Sequence, residues 1–110
     1  MLTYFSYQRL SSSMKVRFAR KIDALVETDQ ANSTGLPAGV IASARTKLQF
    51  IRGARDERDL RQWTSLHFKR LKGDTNECSI RLNDQYRMHF TLDSSCQPNE
   101  IEVTFIGDPH

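Results

Sequence analysis

Apolar positions along the chain change period near residue 65. Before that point they recur at three- and four-residue steps. Met14, Phe18, Ile22, Leu25 and Val26 fall on one helical face, with Lys15, Arg20 and Lys21 off the stripe, so the spacing predicts a first helix over about 12–28. Ser11, Ser12 and Ser13 stand before it, and any of them offers an N-cap oxygen to an orphan backbone N–H. Thr28 to Gly35 reads as a loop. Pro37 suits the first turn of a second helix whose stripe is Ile41, Ala44, Leu48 and Ile51, with Gly53 as a stop. Arg55 to Gln62 is almost wholly charged, so it is a surface turn or a short extra helical turn. Trp63, the only tryptophan, is expected in the core over this join.

After residue 65 the period is two. Leu66-His67-Phe68-Lys69 alternates, and Lys72 to Asn76 turns. Cys78, Ile80 and Leu82 alternate with Ser79 and Arg81, and Tyr86, Met88, Phe90 and Leu92 with Arg87, His89 and Thr91. Asp93 to Asn99 is a loop, and Ile101, Val103 and Phe105 mark a last strand. The fold class is α+β, with two N-terminal helices packed on one face of a small, mainly antiparallel sheet.

Burial selects one register for the middle hairpin. A two-residue turn would pair Ile80 with Arg87, mixing apolar and charged side chains on one face. A three-residue turn over Asn83-Asp84-Gln85 pairs Leu82 with Tyr86, Ile80 with Met88 and Cys78 with Phe90, and so keeps one face apolar. It also sets Arg81 opposite Arg87, and Ser79 opposite His89, on the other face. Facing like charges destabilise a strand pair. Either the two arginines are solvated and lean apart, or an anion such as phosphate lies between them. Lys69 and Lys72 precede this hairpin and join the same face if the strands are neighbours.

Composition supports a single globular domain over residues 1–110. The chain is 38% apolar and 26% charged, with no low-complexity tract, and its size needs no disulfide scaffold. Apolar runs never exceed three residues, far short of the roughly 20 of a membrane span, so no membrane role is expected. The N-terminus lacks the basic start and apolar run of a secretory signal. Cys78 and Cys96 form no C-x-x-C motif and are read as reduced, in a cytoplasm. The histidines and cysteines lack zinc-site spacing, and Lys72-Gly73-Asp74 is no phosphate-binding loop, so no metal and no cofactor are expected. Charge is uneven: residues 1–65 carry eleven Lys/Arg against six Asp/Glu, and residues 66–110 five against seven. Arg45 to Lys72 alone holds nine basic residues. That cluster is either a solvated face or a footprint for a polyanion. Its Arg45, Lys47 and Arg70 are, with Arg81, the candidate phosphate contacts.

Three stretches carry a family likeness. Leu66-His-Phe-Lys-Arg-Leu-Lys-Gly-Asp74, then Cys78-Ser-Ile-Arg-Leu-Asn-Asp-Gln-Tyr-Arg-Met-His-Phe90, resembles the L-K-G-D, W-S-I-R-V-N and Q-W-R-I-x-F pattern of HigB-like toxins in the RelE/ParE superfamily. The closing Ile101-Glu-Val-Thr-Phe-Ile-Gly-Asp-Pro-His110 resembles their last strand, which ends in D-Y-H. The resemblance implies a twisted, mainly antiparallel sheet under two N-terminal helices. It also implies the toxin of a type II toxin–antitoxin pair, a ribosome-dependent endonuclease that cuts translating mRNA. The implied partners are the ribosome with its mRNA and a HigA-like helix-turn-helix antitoxin, through which alone the toxin meets operator DNA.

By the same resemblance Lys72 matches the family's active-site lysine, Arg87 the arginine of Q-W-R-I and Arg81 that of S-I-R. Asp108 and His110 match the outer members of D-Y-H. The chain departs at Lys69, where many members have His, and at Pro109, where the family has Tyr. RNA cleavage without a metal needs a base for the 2′-OH, cations around the phosphorane and an acid for the 5′-oxygen. Arg81 and Arg87 suit the phosphate, since guanidinium stays charged and binds bidentately. Lys69 and Lys72 are bases if crowded cations lower their pKa, and otherwise electrostatic. His110 is the leading acid, with His67 and His89 in reserve. Two other functions compete: a non-enzymatic ParE-like toxin that blocks a protein target such as gyrase, and a basic binding module whose toxicity has decayed.

Overall fold

The computed structural model describes residues 14–71, 76–95 and 99–109. Five strands form one sheet: β1 (Lys15–Phe18), β2 (Lys69–Arg70), β3 (Glu77–Arg81), β4 (Arg87–Asp93) and β5 (Glu100–Gly107), in spatial order β1-β5-β4-β3-β2. Only β1 and β5 run parallel; the other three pairs are antiparallel. Helices α1 (Lys21–Ala24), α2 (Ala38–Gly53) and α3 (Glu57–Gln62) complete the α+β fold.

The long helix α2 forms where the spacing put it. Pro37 stands at its N-cap, and its carbonyl accepts from the amides of Val40 and Ile41 at 3.0 Å each. Val40, Ile41, Ala44, Leu48 and Ile51 are buried along one stripe. They meet the apolar sheet face of Cys78, Ile80, Met88, Phe90, Ile101 and Val103 in one core cluster. Each Val, Leu, Ile, Met or Phe side chain among them contributes roughly 1.5–3 kcal/mol through burial. The Ser43 hydroxyl also donates to the Leu82 carbonyl at 2.9 Å, tying the helix to the hairpin.

The first expected helix, over 12–28, is not formed. Residues 15–18 are strand β1, and helix begins only at Lys21, lasts four residues and tightens into a 3₁₀ turn at Leu25–Glu27. The serines expected to cap it lie outside the described residues. Met14, Val16 and Phe18 also alternate with Lys15 and Arg17, and the available edge of β5 decides between the two periods. There Arg17 lies 3.5 Å from both Glu100 and Glu102, a pairing that a helix would forgo. Ile22, expected inside, is 43% exposed, while Asp23 is buried and takes two 2.9 Å hydrogen bonds from Arg20. Arg45 donates to the carbonyls of Val26 and Thr28 at 2.7 and 2.9 Å, and Arg52 clasps Glu27, so this irregular segment is stapled to α2.

Three smaller corrections bear on the site. The expected strand at 66–69 is a 3₁₀ turn, Thr64–Leu66, followed by His67 in the left-handed region (φ 51°), with pairing only at Lys69–Arg70. Leu66 and Phe68 still both face the core, so the alternation has a packing meaning without a strand. Trp63 is half-buried at the core's edge, its ring centroid 3.8 Å from that of Phe50. Phe105 lies on the expected last strand, but its side chain does not join the core beside Ile101 and Val103. The register of β4 and β5 shifts between His89 and Phe90, whose partners are Phe105 and Val103. Thr104 is therefore an extra residue, and past this bulge Ile106 takes the inward position.

Candidate functional site

The hairpin of β3 and β4 has the register that burial selects: Cys78 with Phe90, Ser79 with His89, Ile80 with Met88 and Arg81 with Arg87. Asn83 shapes the turn. Its side-chain oxygen accepts from the amides of Gln85 and Tyr86 at 2.8 and 2.7 Å, and the Tyr86 carbonyl accepts from Leu82 at 3.0 Å. On the polar face the strands align two rows. Lys69, Ser79, His89 and Phe105 run across four strands, and Arg81, Arg87 and Gly107 lie beside them toward the turn.

A cleft of about 330 Å³ opens on this face, lined by His67, Phe68, Lys69, Ser79, Arg81 and Arg87. The two arginines are held by the turn itself. Arg81 pairs with the Asp84 carboxylate, and Arg87 donates through Nη1 to the carbonyls of Asn83 and Tyr86, at 2.5 and 3.0 Å. Each guanidinium has five N–H groups, so donors remain for an incoming anion. Phosphate oxygens could be gripped here by two fixed guanidinium groups and the Lys69 ammonium. Among the described residues no three His, Cys, Asp or Glu side chains are grouped to hold a metal ion.

Burial, reinforced by Arg87 and Lys69 against an opposing pull from Glu77, holds the His89 imidazole below its ordinary 6.5. The folded chain thus binds the His89 proton less readily than the unfolded chain. That contribution to stability is complete above 6.5 and is lost as pH falls from there through the lower folded value. Urea unfolding at pH 7.5 and at pH 5 should show a lower midpoint at pH 5, and His89→Gln should remove part of that difference.

The family model for the RelE-like toxin of the type II toxin–antitoxin system HigB matches residues 16–110. The chain belongs to the HigB-like toxins. Membership makes it a type II toxin and brings with it an antitoxin partner. In shape the HigB-like chain is similar to the YoeB/ParE toxin from Agrobacterium tumefaciens, with a TM-score of 0.53 and 14% identity over 88% of this chain and 100% of that one. At that identity the likeness concerns the fold. No curated protein matches the sequence. Among the described residues no helix is long and apolar enough to cross a membrane.

Of the residues singled out in the sequence, the HigB-like fold gathers Lys69, Arg81 and Arg87 in the cleft. Asp108 stands just past β5 at the hairpin rim, where its carboxylate accepts from Gln85 Nε2 at 2.8 Å. Arg70, Arg45 and Lys47 do not line the cleft. Arg70 and Arg61 share Glu57 on α3, each at 2.6 Å, and Arg70 foremost holds that carboxyl below its usual value. Arg45 is occupied by backbone carbonyls, and Lys47 donates to the Ser43 hydroxyl at 3.1 Å. Lys72 and His110 lie outside the described residues, as does Cys96. Cys78 is buried beneath the sheet, which pushes its thiol up to about 11.

The cleft also contains His67, which the sequence held as a reserve acid, and Phe68 and Ser79, which it did not single out for the site. Ser79 had a signal, since the register already placed it opposite His89 beside the arginine pair. Phe68 had none. The left-handed backbone of His67, costly for a residue with a Cβ, lies where the 3₁₀ turn meets β2.

Proposed function

We propose that this HigB-like toxin is a ribosome-dependent mRNA endonuclease that inhibits translation in the cytoplasm. The observation that carries the reading is the register-enforced pair Arg81 and Arg87 on the wall of a cleft that also holds Lys69 and His67. In RNA cleavage the 2′-OH gives up its proton and attacks the adjacent phosphorus. The bond from phosphorus to the 5′-oxygen breaks, and that oxygen takes a proton, leaving a 2′,3′-cyclic phosphate and a 5′-hydroxyl. Negative charge on the phosphorane oxygens is what two guanidinium groups and an ammonium stabilise best. Preorganisation by the turn means that little reorganisation is needed as this charge develops.

Proton transfer falls to the remaining groups of this face. His89, neutral near pH 7, has the lone pair a base needs. His67, in the cleft lining, is available to the leaving oxygen. By motif likeness Lys72 and His110 join this set, and Asp108 braces the rim through Gln85. The partners in this reading are the ribosome, its mRNA and a HigA-like antitoxin that alone contacts operator DNA.

Asp84 competes for the site. It is 93% exposed and pairs with Arg81, so its charge opposes a phosphate that approaches the same guanidinium. Asp84→Asn should therefore tighten binding to single-stranded RNA roughly two- to fivefold, the worth of one exposed ion pair, with an unchanged melting temperature. Filter binding beside a thermal melt checks both. The function is tested by inducing the chain without antitoxin and mapping transcript 5′ ends. New ends inside translated codons are expected. Growth arrest with intact transcripts would instead point to a blocked protein target.

A further inference from the structure

Phe105 is a large aromatic side chain that the core does not use. The β4–β5 bulge turns it onto the polar face, where it is register partner to His89 and absent from the hydrophobic cluster. Its position there is fixed on three sides. A Cβ added at Gly107 would lie 2.8 Å from the tip of the Phe105 ring, so the ring lies over that glycine, the register partner of Arg87. The His89 ring stands beside it, centroids 5.4 Å apart and tilted by 50°. The Arg20 guanidinium, anchored by the buried Asp23, lies over the ring 5.2 Å from its centroid, in the place a stacked base would take.

We propose that Phe105, flanked by His89, is a nucleobase-stacking subsite adjoining the arginine pair. The inference rests on the nuclease reading and adds to it the group that grips a base rather than a phosphate. Neighbouring strands are about 4.8 Å apart, so a base laid against Phe105 is one strand away from Arg87 and its phosphate. Stacking suits this place because every base has a π-face and an aromatic ring meets it without a hydrogen-bond code. Glycine at 107 is the enabling residue: any side chain there would lift the ring.

The test is cleavage by the full chain on ribosomes programmed with a defined mRNA, intact or carrying one abasic nucleotide at each position in turn around the cut. Loss of one stack should slow cleavage roughly 5- to 100-fold. Phe105→Leu should show that loss on intact mRNA, and Phe105→Tyr should not. The abasic nucleotide at one position should cost the wild type a similar factor and cost Phe105→Leu nothing further, a coupling that a merely structural residue would not give. Gly107→Ala, which displaces the ring without removing it, should give the same insensitivity and guards against a misfolded Leu variant. If wild type and Phe105→Leu respond alike to every abasic position, the subsite is refuted, while cleavage abolished by Arg87→Ala would still uphold the nuclease. If the wild type cuts no programmed mRNA, the nuclease reading itself is overturned, and the subsite with it.

Discussion

Arg87→Ala should lower mRNA cleavage about 100- to 1,000-fold, the usual cost of removing one preorganised donor from a developing oxyanion. Arg87 is aimed by two carbonyls of the turn, at 2.5 and 3.0 Å, and faces Arg81 across the strand pair. The geometry exists before any RNA arrives, which is what gives such a donor its leverage. Arg87→Lys keeps the charge but loses the planar fork, so it should recover only part of the rate. The carbonyls released in the alanine variant lie at an exposed turn where water can satisfy them, so stability should change by no more than about 1 kcal/mol. Single-turnover cleavage beside urea unfolding separates the two effects. An alanine variant that folds and cuts at the wild-type rate would remove Arg87 from the site.

Phe90→Ala should destabilise the fold by about 3–5 kcal/mol. The ring is fully buried on the strand between β3 and β5, with Cys78 and Val103 as its register partners and the Phe68 centroid 6.2 Å away. Truncation removes apolar area and leaves a cavity that three strands cannot readily close. Domains of this size have only about 5–15 kcal/mol in hand, so the loss is a large share of the total. Urea denaturation of wild type and variant measures the difference. A loss under 1 kcal/mol would mean that the core is not the single cluster described above.

The hairpin was legible because two independent requirements agree on it. An apolar face over Cys78, Ile80, Met88 and Phe90 allows one register, and Asn83 supplies the turn that register needs. Helix α2 was legible for a similar reason: its stripe is long and fits one period only. The segment before it was not. Met14, Val16 and Phe18 satisfy the strand period while Met14, Phe18 and Ile22 satisfy the helical one, and the choice is made by a partner strand some 85 residues away. The last strand through Ile101, Val103 and Phe105 was legible, but the outward turn of Phe105 was not, because a strict alternation along 101–105 has no means of announcing a bulge at Thr104. Within the site, the arginine pair followed from register alone. Basic clustering was less informative: Arg45, Arg52 and Arg70 have carbonyl or carboxylate partners within the fold. Charge counted along a sequence cannot distinguish a cation with an internal partner from one left to bind a ligand.

The central claim is that the Arg81–Arg87 cleft cuts mRNA on the ribosome. Its most direct test is purified chain added to ribosomes programmed with an end-labelled mRNA, with Arg81→Ala and Arg87→Ala alongside. The account predicts a discrete cut within the codon held by the ribosome, a 5′-hydroxyl on the downstream fragment, and near-complete loss of the cut in both variants. Intact mRNA with the wild-type chain, or cuts that survive both substitutions, would contradict it.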